Sequence, residues 1–104
     1  AYLHAVAHAE ARAVDCFWDL VARFGPELAR TLDAHQALEF GDDVAGIALD
    51  ECRHFEALAA RLRDGHGVAY GELAAHDTLS ASLRDTRDDL LARLAVVHLV
   101  HEAR

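Results

Sequence analysis

Apolar residues recur along this chain at helical spacing. Leu3, Val6, Ala7, Val14, Phe17, Val21 and Phe24 fall mostly three, four or seven positions apart, the inner stripe of an amphipathic helix over 2–24. Gly25-Pro26 predicts its end. A helix can restart over 26–40 with Pro26 in its first turn, on a weaker inner face of Leu28, Leu32 and Phe40. Gly41-Asp42-Asp43 predicts an interruption, with Asp42 or Asp43 as the N-cap of a strong helix over 43–64. The segment DGHGVAYGELAAHD (64–77) reads as a connection, and a last helix starts near Thr78 or Ser80 and runs to the end. No stretch alternates as a strand does, and no internal repeat or low-complexity tract is present. The expectation is an all-α single domain. Three long helices and a short one at 26–40 would bury their stripes by packing antiparallel in a bundle.

Polar residues interrupt these stripes in a regular way. Glu51 shares a face with Val44, Ile47, Ala48, Phe55, Leu58 and Leu62, all apolar, and His54 follows it at i+3. Glu10 lies on the face of Leu3, Val6, Ala7, Val14 and Phe17. In the last helix Glu102 follows Leu91, Ala95 and His98 at spacings of eleven, seven and four. A carboxylate buried without a partner is costly, so each inward Glu needs a counter-charge or a bound cation. Bundles that hold two metal ions take one Glu from each of two helices and Glu-x-x-His from each of two others. This chain offers two single Glu residues, Glu10 and Glu102, and one Glu-x-x-His, Glu51 with His54. A second Glu-x-x-His would belong on a fourth helix beyond Arg104. Taken singly, each Glu reads better as a helix-edge residue or the partner of an Arg, whereas the three together with His54 favour a metal.

Composition narrows the function classes. The 104 residues suffice for one small domain with a modest core. A net charge of −8 argues against nucleic-acid binding as the main task, and all ten basic residues are Arg. No apolar run is long enough for a membrane span and no signal segment opens the chain. Cys16 and Cys52 are far apart and form no CxxC, which points to a reducing, cytoplasmic setting. The chain begins and stops inside helical pattern, which suggests a piece of something longer.

Four blocks carry a family resemblance: AHAEARAVDCFWDLVARF (7–24), DECRHFEALAARLRD (50–64), YGELAAHDTL (70–79) and DLLARLAVVHLVHEAR (89–104). In order and spacing they resemble the ferritin-like proteins called domain of unknown function 455. The resemblance implies a ferritin-like helical bundle, incomplete here, with the fourth ligand helix absent. It also implies that Glu10, Glu51, His54 and Glu102 are ligands of a di-iron or di-manganese centre. DECRH looks like the Asp-Glu-x-Arg-His motif of di-iron monooxygenases, in which the Asp and Arg orient a histidine from the opposite helix pair. Asp50 and Arg53 would take that role, although an ordinary surface ion pair explains their spacing equally well. Three departures from the family pattern are the long stretch 25–49, Ser80 in place of a large aromatic residue, and His98 and His101 where less polar residues are expected.

The resemblance implies part of an oxygen-activating di-metal oxidoreductase of unknown substrate. The competing reading is a non-catalytic helical interaction module that keeps relic ligands and forms a homodimer through an exposed bundle face. Other constellations are weaker. His4 and His8, one turn apart, would suit a structural zinc ion, but Arg12 and Asp15 on their face predict exposure. His98 reads as a satisfied core histidine. The cysteines need no chemistry, DGHG is no phosphate loop, and no Ser-His-Asp set can be assembled.

Overall fold

In a computed structural model of the chain, residues 1–73 and 78–101 are described. Every regular element among them is a helix. The first, α1 (Tyr2–Thr31), passes through Pro26 without stopping. The ring removes one backbone hydrogen bond and normally crowds the preceding residue out of the helical region. That residue is Gly25, whose missing Cβ leaves room, and the extra turn lets Leu28 pack against the core. The predicted stop at Gly25-Pro26 is therefore corrected: the helix ends where Leu32 turns extended, its N–H bonded to the Leu28 carbonyl at 2.8 Å.

A two-residue turn, Leu32-Asp33, leads straight into α2 (Ala34–His66). Asp33 accepts the Gln36 N–H at 2.8 Å, and the Gln36 side chain accepts the Asp33 N–H at 3.2 Å. This reciprocal cap satisfies two orphan donors and starts the helix about ten residues before the N-cap read at Asp42 or Asp43. Gly41 then lies inside an unbroken helix, so the separate helices over 26–40 and 43–64 are replaced by one. Gly67 closes α2 in the left-handed conformation (φ 67°), its N–H reaching the carbonyls of Leu62 and Arg63.

The last helix is also corrected. It is split into α3 (Thr78–Asp85) and α4 (Leu90–Arg93), and α4 runs on as a wide-turned π-helix over Leu94–His101. The stretch between, Thr86-Arg87-Asp88-Asp89, has no apolar residue to bury. Thr86 folds its hydroxyl back onto the Ser82 carbonyl (2.7 Å), and Asp89 restarts the helix by accepting the Ala92 N–H. The described chain therefore has two long helices and a broken third segment in place of three long helices.

The α1–α2 hairpin and this segment share one core. Phe17, Leu20 and Phe24 of α1 meet Val44 and Ala48 of α2, while Leu90 and Leu94 pack against them. Ala13, Cys16 and Leu20 are buried although they lie off the predicted α1 stripe, because α1 is covered on two sides. Ile47, placed by pattern on the inner face of α2, is 43% exposed at its margin. Arg93 is completely buried. Its guanidinium donates to Asp19 (2.6 Å), to the Thr86 hydroxyl (2.9 Å) and to the Leu83 carbonyl (2.9 Å), and lies 5.3 Å from the Phe24 ring centre. This one side chain ties α1, α3 and α4 together. The chain measures 49 × 26 × 20 Å with a radius of gyration of 15.4 Å, against about 13 Å for a compact domain of this length. The helices are long for so small a core, so much of the hairpin faces solvent.

Candidate metal centre

Glu10 sits seven residues before Phe17 on α1, and Glu51 three residues after Ala48 on α2. Both inherit the inward direction of those core residues, and antiparallel pairing brings the two levels side by side. One ligand atom each from Glu10, Glu51 and His54 lies within 4.8 Å of the others. His54 Nδ1 is 3.5 Å from Glu51 Oε2 and 3.6 Å from Glu10 Oε2. Side-chain exposure rises from 14% at Glu51 to 26% at Glu10 and 59% at His54, so the cluster opens on the His54 side.

Among the described residues, His54 is the sole ion-pair partner of either carboxylate. Among the described residues, no Arg pairs with them. Two half-buried negative charges a few ångströms apart, faced by one imidazole, repel each other unless a cation intervenes. Two carboxylate oxygens and one ring nitrogen form a donor set suited to iron, manganese or zinc. The residues present fit a divalent metal by this chemistry.

The remaining site residues are placed differently. Glu102 lies outside the described residues. Asp50 and Arg53 pair with each other at 3.1 Å on the outer surface of α2, with side chains 61% and 65% exposed.

The histidines near the N-terminus are not the exposed pair the sequence predicts. His4 is 2% exposed. Its Nε2 accepts the Gly71 N–H at 2.9 Å, and its ring stacks on Tyr70 with centroids 5.2 Å apart. Gly71 adopts φ 100°, which a residue with a side chain rarely tolerates. His8 Nδ1 is hydrogen-bonded to the Tyr70 hydroxyl at 2.9 Å, and Phe55 meets Tyr70 edge-on at 4.8 Å. The segment after α2 folds back over the start of α1 and covers it, which helix periodicity could not show. Tyr70 was not singled out from the sequence. Its one sequence signal is its place in YGELAAHDTL, directly after the Gly67 helix stop.

His98 is also corrected. It packs against Phe17 (centroids 4.9 Å), but neither of its buried ring nitrogens has a hydrogen-bond partner among the described residues. Burial, and secondarily the Arg93 charge, holds its pKa below the ordinary 6.5, which keeps it neutral. Cys16 is buried and its thiol is pushed up to about 12 by desolvation, so it is inert.

Among the described residues, no helix is long and apolar enough to cross a membrane. No solved structure matches the chain. An "Uncharacterized protein" of Haemophilus influenzae is 35% identical over 104 residues, which are all of this chain and 35% of that protein. The chain thus spans about a third of the length of the curated relative it matches. The family model described as "Protein of unknown function (DUF455)" matches residues 1–104, and the chain belongs to that family.

Proposed function

We propose that this chain is part of a ferritin-like di-metal carboxylate domain, in which Glu10, Glu51 and His54 hold a metal ion and Glu102 adds a further carboxylate. The observation that supports this reading is the convergence of two inward Glu side chains and one His, from two helices, to within 4.8 Å, with no Arg paired to either carboxylate among the described residues. Iron or manganese held there would supply redox chemistry on dioxygen, and the substrate would be set by parts of the protein beyond this site. Glu51, the least exposed of the three, would anchor the ion from the hairpin interior. Glu10 would fix it against α1, and His54 would close the solvent side through its neutral ring nitrogen. Binding would release protons and weaken in acid, because the imidazole must be neutral and the carboxylates ionised.

One Glu-x-x-His without its counterpart makes an incomplete set, so the expected capacity is at most one loosely held ion per chain. Anaerobic titration with ferrous iron tests this, read by the loss of free ion and by shifts of His54 ring resonances. Glu51→Ala should lower affinity about 10- to 100-fold. Uptake unchanged by that substitution would mean non-specific binding and would end the proposal.

A second reading, a helical module that pairs with another copy, has support in large apolar side chains at the surface. Trp18, Leu38, Leu49 and Leu91 are each at least half exposed. Sedimentation of the metal-free chain distinguishes the two: a monomer up to high micromolar concentration removes the dimer reading and leaves the metal reading untouched.

A further inference from the structure

A second polar constellation lies on a different face of α1 from Glu10. Arg12, Asp19 and Arg23 are spaced by seven and four along α1, so they form one polar stripe. Ser80, Arg84 and Arg87 follow the same logic along α3 and its exit, at spacings of four and three. The two stripes face each other and line an open cleft of about 240 Å³. Four of the ten arginines of a chain with net charge −8 therefore converge on one small cleft.

The single carboxylate in the lining does not oppose an anion. Asp19 accepts the Arg23 Nε–H on both oxygens, at 3.0 and 3.1 Å, and takes the buried Arg93 guanidinium at 2.6 Å. Two cations already share that one negative charge. Arg12 holds Asp15 at 2.8 Å and the Ser80 hydroxyl at 2.9 Å, which pins one wall of the cleft. Arg84 has no ion-pair partner among the described residues, and Arg87 has only the exposed Asp88 at 3.7 Å. Arg93 lies beneath, and its charge is taken up by Asp19. Arg84 is the lining guanidinium that no described carboxylate engages, and its flexible fork has a geometry that matches an oxyanion.

We propose that the cleft between α1 and α3 binds a small oxyanion, the phosphate or carboxylate group of a low-molecular-weight ligand. Arg84 and Arg87 are its principal donors, and Arg23 supports them from α1. The cleft is larger than one phosphate, so it admits the anionic group with a small body attached. This site is independent of the metal reading, since none of its residues belongs to the carboxylate cluster.

Backbone amide chemical shifts, followed by NMR in metal-stripped protein, test it. Pyrophosphate is the phosphate probe and citrate the carboxylate probe, with sodium chloride at matched ionic strength as background. The expected result is a saturable shift confined to residues around 12, 19–23 and 80–87 with one or both probes, and the probe that saturates identifies the chemistry. Arg84→Ala with Arg87→Ala, both exposed positions, should weaken it about 10- to 100-fold, as loss of hydrogen bonds to a charged group does. Arg61→Ala with Arg63→Ala, on the exposed part of α2, should leave it unchanged. Shifts that never saturate, that spread over every surface Arg, or that the two double variants lower equally would overturn the proposal. The shift map of the unsubstituted protein decides the matter even should a variant fail to fold.

Discussion

Replacing Glu51 with Gln separates stability from function at the carboxylate cluster. Without metal, the Glu10 and Glu51 carboxylates lie within 4.8 Å of each other. Coulomb repulsion at that distance is about 0.9 kcal/mol in bulk water and about 3.5 kcal/mol at an effective dielectric of 20. Both side chains retain some solvent contact, at 26% and 14% exposure, which places the relief nearer the lower bound, at about 1–2 kcal/mol. Glu51→Gln keeps the shape and removes one charge. At pH 8 with a chelator present, the variant should melt about 5–10 °C above the unsubstituted protein. Ferrous or manganous ion reverses the order. An ion at a hundred times its dissociation constant stabilises the unsubstituted protein by about 2.7 kcal/mol, and the variant gains little. Differential scanning calorimetry under argon, with and without metal, measures all four melting points. A variant less stable than its parent without metal would refute the electrostatic argument. Equal metal increments in both proteins would refute the ligand assignment.

Three further outcomes are expected. Asp19→Ala should cost about 2–4 kcal/mol in urea denaturation, because it leaves the fully buried Arg93 without its carboxylate, and adding Arg93→Met should recover much of that loss; a single variant within 1 kcal/mol of its parent would contradict this. His98 has a folded pKa below its unfolded 6.5, so the unfolded chain binds the extra proton. Its contribution to stability is complete above pH 6.5 and falls away as the pH drops toward the folded value; His98→Leu should flatten that part of the stability–pH curve, and an unchanged slope would count against it. Thiol reagents at pH 7.5 should label the partly exposed Cys52 well before Cys16, whose thiol titrates near 12; mass spectrometry of the partly labelled protein gives the order.

The sequence by itself determined that this is a helical chain and which faces of the two main helices turn inward. Period-3.6 patterning is local, and it survives packing where the hairpin buries the marked stripe, as at Ala7, Phe17, Phe24, Val44 and Ala48. For that reason Glu10 and Glu51 could be read as inward residues from Phe17, Val44 and Ala48, whereas His54, placed on the same stripe by its i+3 spacing, is 59% exposed at the open side of the pair. Helix ends were less legible. Gly25-Pro26 and Gly41-Asp42-Asp43 are breakers by local preference, yet long-range burial of Leu28, Phe40 and Val44 outweighs a lost hydrogen bond or a glycine's entropy, and the helices run through. What only the tertiary structure decided are contacts between elements far apart in sequence. Tyr70 folds over His4 and His8 and buries a histidine that its own helix face marks as exposed. Arg93 becomes a core residue because Asp19, seventy-four positions away, meets it. Two polar stripes that look like ordinary solvated faces become the walls of a cleft because α3 lies against α1. Each of these depends on how helices dock, and docking is set by the whole core at once, which no single segment encodes.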